Sequence, residues 1–230
     1  MTPDELAKSI DHTLLEADAT PDNIRKVCEE AKKYSFATVF VNPCYVSLAV
    51  SLLRGLPVKV GTTIGFPLGA TTTNIKCFEA TQAILHGARE LDMVMHIGAL
   101  KFGHAELVEE DIRAVVDAVR TEEVESSAGD IIVKVIIETC YLTDEEKRLA
   151  VRIAGHAGAD FVKTSTGLGV SGATARDVKL LREAASLGIG IKASGGIRTF
   201  KQAIKMLDAG ATRIGTSSST SIMKEAKKRR

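Results

Sequence analysis

Aromatic residues and excess charge are both scarce in this sequence. It contains no Trp, three Tyr and seven Phe among 230 residues, and its formal net charge is +1. Proteins that bind nucleic acid combine a basic surface with side chains on which bases stack. We therefore do not expect a nucleic-acid partner. The basic run at residues 227–230 is predicted to be the solvated end of a helix, where cations interact favourably with the helix dipole.

Long hydrophobic runs and paired cysteines are also missing. The densest apolar run, residues 131–137, is interrupted by Lys134, whereas a transmembrane helix needs about 20 apolar residues. The first residues contain no basic segment followed by an apolar one, so a secretory signal is not predicted. The Cys residues at 28, 44, 77 and 140 form no Cys-x-x-Cys pair. Thiols in a reducing cytoplasm are the expected state, without membrane contact.

The five His residues do not form a metal-binding pattern. Neither His-x-His nor His-Glu-x-x-His occurs, although such spacings are typical of zinc sites. We therefore predict no metal site, and we expect each His to be structural or exposed.

What the sequence does contain is an alternation of short apolar runs with helical periodicity. Runs rich in Val and Ile are typical of parallel strands that are buried on both faces. Strands are predicted near residues 9–12, 36–41, 58–63, 91–96, 131–138, 160–163, 189–193 and 212–215. Helices are predicted near residues 21–34, 43–53, 72–86, 104–127, 144–157, 173–187, 199–208 and 217–228. Eight strand–helix units predict an α/β protein, a (β/α)8 TIM barrel with a single domain over residues 1–230.

Helix ends carry signals that support this assignment. Thr20 and Thr143 are predicted N-caps, the first followed by Pro and the second opening a capping box. Three helices are predicted to end at a Gly in the left-handed conformation, namely Gly87, Gly158 and Gly210. An open doubly wound sheet is the alternative, but it would need a glycine-rich loop after the first strand. Residues 11–15 contain no Gly.

Two lysines end apolar strands and precede loops of small residues. Lys163 follows Val162 and opens a Thr-Ser-Thr-Gly turn, and Lys192 follows Ile191 and opens an Ala-Ser-Gly-Gly turn. Burial of a lysine favours its neutral form, which is nucleophilic and forms Schiff bases with carbonyl compounds. Barrel enzymes hold their active sites where strands end. The two lysines therefore predict Schiff-base chemistry.

Two further ionisable residues lie within predicted strands. Asp92 alternates with Val94 and His96, and a carboxylate in an apolar strand needs a cationic or hydrogen-bonding partner. We expect Asp92 inside the barrel, with both Asp92 and Lys192 facing Lys163 across it; for Asp92, a cap near the barrel bottom is the alternative. If Lys134 points inward, it is a third amine, paired with Asp92 or with another carboxylate, Glu138.

The last two strand ends are rich in Gly and Ser. Residues 194–196 and 215–219 supply backbone N–H groups and hydroxyls, and a helix is predicted to start after the second loop. Barrel enzymes commonly bind phosphate at the loops after strands seven and eight. A phosphate site is therefore predicted, with tight turns that bind nothing as the alternative.

Together these residues resemble the deoxyribose-phosphate aldolases, a family of class I aldolases, over nearly the whole chain. Matching segments occur in order at 11–15 (DHTLL), 41–43, 65–69 (GFPLG), 92–94, 97–100, 134–139, 163–167 (KTSTG), 192–198 (KASGGIR) and 213–218. The resemblance implies reversible cleavage of 2-deoxy-D-ribose 5-phosphate to D-glyceraldehyde 3-phosphate and acetaldehyde, in deoxyribose catabolism. It also implies that no metal or other cofactor takes part. We further expect a homo-oligomer, either a dimer or a tetramer.

The resemblance also assigns site residues. It implies that Lys163 forms the Schiff base and that Asp92 and Lys192 transfer protons. The positions implied to surround the substrate phosphate are Gly167, Gly195, Gly196, Gly215, Ser217 and Ser218. The expected supporting residues of the pocket are Asp11, Thr13, Lys134 and Thr164.

The chain departs from the family pattern at three places. His96 stands where many relatives carry Asn, Leu168 stands where relatives carry Lys or an aromatic residue, and Glu16-Ala17 replaces a Lys-Pro pair. None of these is an implied catalytic position. Two other functions stay open: another Schiff-base phosphosugar enzyme, such as a transaldolase-like one, and a phosphosugar-binding protein without catalysis. Product analysis would distinguish the transaldolase-like enzyme from the aldolase. An acetaldehyde-release assay would distinguish the non-catalytic binding protein from it.

Overall fold

Eight parallel strands form a closed barrel in a computed structural model that describes residues 1–126 and 129–228. Each strand pairs with its neighbour in sequence, and β1 pairs with β8 to close the sheet. The strands are β1 (Ile10–Leu14), β2 (Thr38–Val41), β3 (Lys59–Ile64), β4 (Glu90–Val94), β5 (Ile132–Ile136), β6 (Phe161–Lys163), β7 (Gly190–Ser194) and β8 (Arg213–Thr216).

Helices cover the outside of the barrel and connect the strands. They are α1 (Pro3–Lys8), α2 (Pro21–Tyr34), α3 (Val46–Leu53), α4 (Thr73–Leu85), α5 (Ile97–Lys101), α6 (Ala105–Glu125), α7 (Asp144–His156), α8 (Ala175–Ala184), α9 (Phe200–Asp208) and α10 (Ser219–Lys228). None of them, within the residues that the structure describes, combines the length and apolar character needed to cross a membrane.

The predicted barrel is confirmed, with differences at the element boundaries. Helices α1 and α5 were not predicted, because segments of six and five residues are too short to show a period of 3.6 residues. The predicted helix 43–53 begins as a 3₁₀ turn, Pro43–Tyr45. The predicted end of the helix at residue 127 lies outside the described residues, as do Arg229 and Arg230 of the basic run.

The predicted helix caps are confirmed. The hydroxyls of Thr20 and Thr143 accept hydrogen bonds from the backbone N–H groups of Asn23 and Glu146, and both helices show a complete capping box. The three predicted exit glycines have φ values of 100°, 87° and 109° at Gly87, Gly158 and Gly210. Local signals of this kind set the ends of the helices and so the direction in which each chain segment enters the next strand.

The two faces of the sheet differ in character. Between strands and helices the core is aliphatic, with Val and Ile prominent. The inside of the barrel instead carries ionisable side chains from β1, β4, β5, β6, β7 and β8, all of them buried except the partly exposed Arg213 of β8. Phe40 of β2 lies among them, with its ring centroid 3.8 Å from Lys192 Nζ and 4.6 Å from Lys134 Nζ. Strands therefore hold the charged groups in fixed positions.

Candidate active site

Lys163 is the last residue of β6 and lines a cavity of about 230 Å³ at the carboxyl ends of the strands. Its Nζ lies 2.8 Å from Asp92 Oδ2. Of the three lysines that contact Asp92, Lys163 lines this cavity, whereas Lys134 and Lys192 do not. A molecule that enters the cavity therefore meets the amine of Lys163.

Asp92 lies inside the barrel, as predicted, and bridges the lysines. Its Oδ2 accepts hydrogen bonds from Lys163 and, at 2.6 Å, from Lys192, while Oδ1 accepts one from Lys134 at 3.1 Å. The side chain is fully buried, which by itself would raise the pKa of this carboxyl group. The three ammonium groups oppose this effect and hold the pKa of Asp92 well below its usual range. The alternative placement as a cap at the barrel bottom is excluded.

Lys192 lies beside Lys163 rather than across the barrel, which corrects the expectation from the sequence. The two residues are register partners on the adjacent strands β6 and β7. Successive strands of a sheet lie about 4.8 Å apart, so both amines can reach one carboxylate. Asp92 lies on β4, two strands from Lys163 on β6 and three from Lys192 on β7, and its carboxylate contacts both amines inside the barrel.

Lys134 points inward, as the strand alternation allowed. It pairs with Asp92 and, at 2.6 Å, with Glu90 rather than with Glu138. Burial would lower the pKa of Lys134, but the surrounding carboxylates outweigh this effect and raise it. Glu138 instead accepts hydrogen bonds from the backbone N–H and the hydroxyl of Thr166, and it thereby holds the loop after β6.

The amine of Lys163 is the one whose charge is disfavoured. Burial lowers its pKa to about 8, against the opposing attraction of Asp92; the neighbouring ammonium groups of Lys192 and Lys134 lower it further. A pKa near neutrality leaves part of the amine unprotonated, and the unprotonated amine is the nucleophile. The arrangement can therefore add an amine to a carbonyl group in the cavity.

The predicted supporting residues occupy three different levels of the site. Thr13 lines the cavity. Thr164 lies below it, and its hydroxyl joins β6 to β7 by bonding to Ser194 O at 3.2 Å and Ser194 N at 3.1 Å. Asp11 is deeper, with Oδ2 2.5 Å from Lys192 Nζ; it and Lys134 contact the charged groups but do not line the cavity.

The predicted phosphate loops surround the other part of the cavity. Gly167, Gly195, Gly196, Gly215 and Ser217 all line it. Gly195 and Gly196 have φ values of 87° and 77°, which favour Gly. A Cβ on Gly195 would also lie 2.9 Å from Gly172 Cα, so the loops after β6 and β7 are in close backbone contact.

Ser218 does not line the cavity. Its backbone N–H donates to Thr216 Oγ1 at 2.9 Å, and the Thr216 hydroxyl donates to Ile197 O at 2.6 Å. These bonds join the loop after β8 to the loop after β7. Gly215 also leaves room for the side chain of Lys192, because a Cβ at this position would lie 3.0 Å from Lys192 Cε.

The three departures from the family pattern also have definite places. Leu168 and Glu16 line the cavity. Leu168 therefore presents an apolar side chain to the cavity. His96 does not line the cavity; its Nδ1 accepts a hydrogen bond from Ala99 N at 3.1 Å and caps α5.

Sequence reasoning missed three ionisable residues of the site. Glu90 and Arg213 lie in the charged interior, and Arg198 lines the cavity beside the predicted phosphate loops. Alternation could have found Glu90, which is two residues before Asp92 on the same face of β4. No signal of this kind marks Arg213, because its partners come from strands that are distant in sequence.

Among residues 1–126 and 129–228, no group of three or more His, Cys, Asp and Glu side chains is arranged to hold a metal ion. The site instead combines an amine of lowered pKa, an adjacent carboxylate and a second lysine below a cavity. In a (β/α)8 barrel this set defines an enzyme-like site that can form an imine with an aldehyde.

Comparison with known proteins agrees with this class. The model of the DeoC/LacD family of aldolases matches residues 6–224, and the chain belongs to this family. Deoxyribose-phosphate aldolase of Caldanaerobacter subterraneus subsp. tengcongensis is 53% identical over 97% of this chain and 94% of the relative. The enzyme of the same name from Clostridium kluyveri is 54% identical over 97% of this chain and 99% of the relative. The deoxyribose phosphate aldolase of Aeropyrum pernix, described as tetrameric, has a TM-score of 0.90 and 36% identity, over 100% of this chain and 94% of its own.

Proposed function

We propose that this protein is an aldolase that reversibly cleaves 2-deoxy-D-ribose 5-phosphate into D-glyceraldehyde 3-phosphate and acetaldehyde. The observation that carries the proposal is the position of Lys163, an amine of lowered pKa at the floor of a cavity whose opposite wall is made of small-residue loops. The curated relatives named deoxyribose-phosphate aldolase, which match nearly the whole chain at 53–54% identity, support the same substrate.

The first step is formation of an imine. The neutral Lys163 amine adds to C1 of the open-chain sugar aldehyde, and loss of water leaves a protonated imine. Asp92, 2.8 Å from Nζ, stabilises the positive charge that appears on this nitrogen. The iminium then acts as the electron sink for the next step.

Carbon–carbon cleavage follows from this sink. A base removes the proton of the C3 hydroxyl, the C2–C3 bond breaks, and its electron pair moves toward the iminium to form an enamine. D-glyceraldehyde 3-phosphate leaves at this point. Protonation of the enamine at C2 and addition of water to the resulting imine release acetaldehyde and restore the Lys163 amine.

Asp92 and Lys192 are assigned to proton transfer. One oxygen of Asp92 contacts both amines, at 2.8 Å from Lys163 and 2.6 Å from Lys192, so a proton can pass through this carboxylate between them. The charge of Lys192 also favours the neutral form of its neighbour. Asp11 and Lys134 hold this pair in position from below.

The substrate phosphate is assigned to the loops after β6, β7 and β8. Backbone N–H groups and hydroxyls suit an anion, and the implied contacts are with Gly167, Gly195, Gly196, Gly215, Ser217 and Ser218. Thr13 and Thr164 are assigned to support the pocket. Because the imine provides the electron sink, the reaction is expected to need no metal or other cofactor. We further propose a homo-oligomer, a dimer or a tetramer, that works in the cytoplasm.

Borohydride trapping in the presence of a chelator tests this function. With 2-deoxy-D-ribose 5-phosphate, borohydride and EDTA, the peptide that contains Lys163 should gain the mass of a reduced adduct, and acetaldehyde should appear without the reductant. Lys163→Met should abolish both signals. An adduct confined to Lys134 or Lys192, or activity that returns only on addition of zinc, would contradict the proposal.

A further inference from the structure

Six side chains below Lys163, five of them buried and the sixth, Arg213, partly exposed, form a closed ring in which the charges alternate. Asp92 Oδ1 lies 3.1 Å from Lys134 Nζ, and Lys134 Nζ lies 2.6 Å from Glu90 Oε2. Arg213 Nη1 in turn lies 3.2 Å from both carboxylate oxygens of Glu90. This half of the ring therefore runs from β4 to β5, back to β4 and on to β8.

The second half of the ring returns to the starting residue. Arg213 Nη1 lies 2.6 Å from Asp11 Oδ1, and Asp11 Oδ2 lies 2.5 Å from Lys192 Nζ. Lys192 Nζ in turn lies 2.6 Å from Asp92 Oδ2. Each carboxylate thus lies between two cations and each cation between two carboxylates.

Lys163 is attached to this ring but is not part of it. The ring contains three carboxylates and three cations, so its formal charge is zero, and Lys163 contacts it at Asp92. A proton on Lys163 would leave an unbalanced positive charge in a buried, poorly solvated space. A neutral Lys163 leaves the interior balanced.

We propose that Glu90 and Arg213 are positioning residues that close this ring and set the protonation of Lys163 by opposite effects: Arg213 favours the uncharged, nucleophilic amine, and Glu90 favours the charged one. The inference rests on the proposed function only for the role of the Lys163 amine as the nucleophile. Neither residue lines the cavity, so neither contacts a bound substrate. Glu90 reaches Asp92 through Lys134, and Arg213 reaches Lys192 through Asp11.

Five strands besides β6 contribute the charged groups that lie below Lys163. They are Glu90 and Asp92 of β4, Lys134 of β5, Lys192 of β7, Arg213 of β8 and Asp11 of β1. Strands β2 and β3 contribute Phe40, whose ring faces Lys192 and Lys134, and Gly61, where a Cβ would lie 2.5 Å from that ring. Lys134 and Lys192 are almost completely buried, so removal of one charge of the ring is poorly compensated by solvent.

Single-charge variants test the inference by opposite effects. Carbamoylation of Lys163 by cyanate, followed across pH by peptide mass spectrometry with exposed Lys59 as internal reference, reports the fraction of neutral amine without any substrate. Glu90→Gln leaves an excess positive charge and should lower the pH midpoint of Lys163 carbamoylation. Arg213→Gln leaves an excess negative charge and should raise this midpoint. Each change should be about one pH unit, as expected for one buried unit charge at an effective dielectric constant of about 20.

Matched variants separate charge from packing. Arg213→Lys keeps the charge, and the double variant Glu90→Gln/Arg213→Gln restores neutrality, so both should have a midpoint close to the parent value. If Glu90→Gln does not fold, Asp11→Asn removes the same charge from the other half of the ring and should also lower the midpoint.

Midpoints that do not move, or that move in the same direction for Glu90→Gln and Arg213→Gln, would overturn the inference and leave the pair with a purely structural role. The outcome is independent of the proposed function, because loss of acetaldehyde release in the parent protein would contradict the function while leaving the cyanate titration interpretable.

Discussion

The barrel interior and the loops around the cavity mouth prepare the site with different chemical groups. In the interior, buried side chains on strands carry the charges, and ion-pair distances of 2.5 to 3.1 Å join Asp11, Asp92, Lys134 and Lys192. At the mouth, Gly and Ser residues on loops present backbone N–H groups and hydroxyls. The interior must control the protonation of one amine, which needs fixed charges in a dry space. Under the proposed function, the mouth accepts an anion that arrives with its own charge, for which backbone geometry suffices.

Substitution of Lys163 should have the largest effect and separates the interior from the mouth most clearly. Lys163→Met removes the nucleophile, so kcat should fall by more than about 10⁴-fold, beyond the usual contribution of a single acid–base group. Binding of inorganic phosphate at the mouth, measured by calorimetry, should stay near the parent value. If phosphate binding were lost together with activity, the two regions would not be independent.

Asp92→Asn should have the next largest effect within the interior. The amine remains, so borohydride should still trap some adduct at Lys163. Exchange of the acetaldehyde methyl protons with deuterated water should fall by about 10²–10⁴-fold, because enamine formation needs a base. Exchange at the parent rate would show that Asp92 is an ion-pair partner and that another group moves the proton.

Ser217→Asp should change the mouth and leave the interior intact. A carboxylate among the phosphate loops should raise KM for the phosphorylated sugar by about 10- to 100-fold, equivalent to about 1.4–2.8 kcal/mol of repulsion. KM for free 2-deoxyribose should change little. Ser221→Asp, on the exposed side of α10, is the matched control. Equal effects of Ser217→Asp on both sugars would place the phosphate elsewhere.

The pH dependence should show the smallest effect and reports the interior alone. The pKa of Lys163 is lowered to about 8, and the neutral amine is the reactive form. Activity should therefore rise with pH through about 8, and kcat/KM should fall about tenfold for each pH unit below it. Lys192→Leu removes a nearby positive charge and should move this rise in activity to higher pH. A rise that moves to lower pH would contradict the assigned role of Lys192.

The sequence by itself determined the architecture of this protein. Period-2 and period-3.6 patterns, Thr caps and exit glycines are local signals, and they placed every strand and all but the shortest helices. The same reasoning identified Lys163, Lys192 and the small-residue loops, because each interrupts a pattern at a strand end.

Only the tertiary structure decided which charges meet. The partners Glu90, Arg213 and Asp11 lie far apart in sequence, and whether Lys134 pairs with Glu90 or Glu138 depends on which neighbouring strand reaches it. Closing the barrel brings β8 beside β1 and so completes the ring through Arg213 and Asp11. Protonation of Lys163 depends on the sum of these buried charges, and no local pattern in the sequence contains that sum.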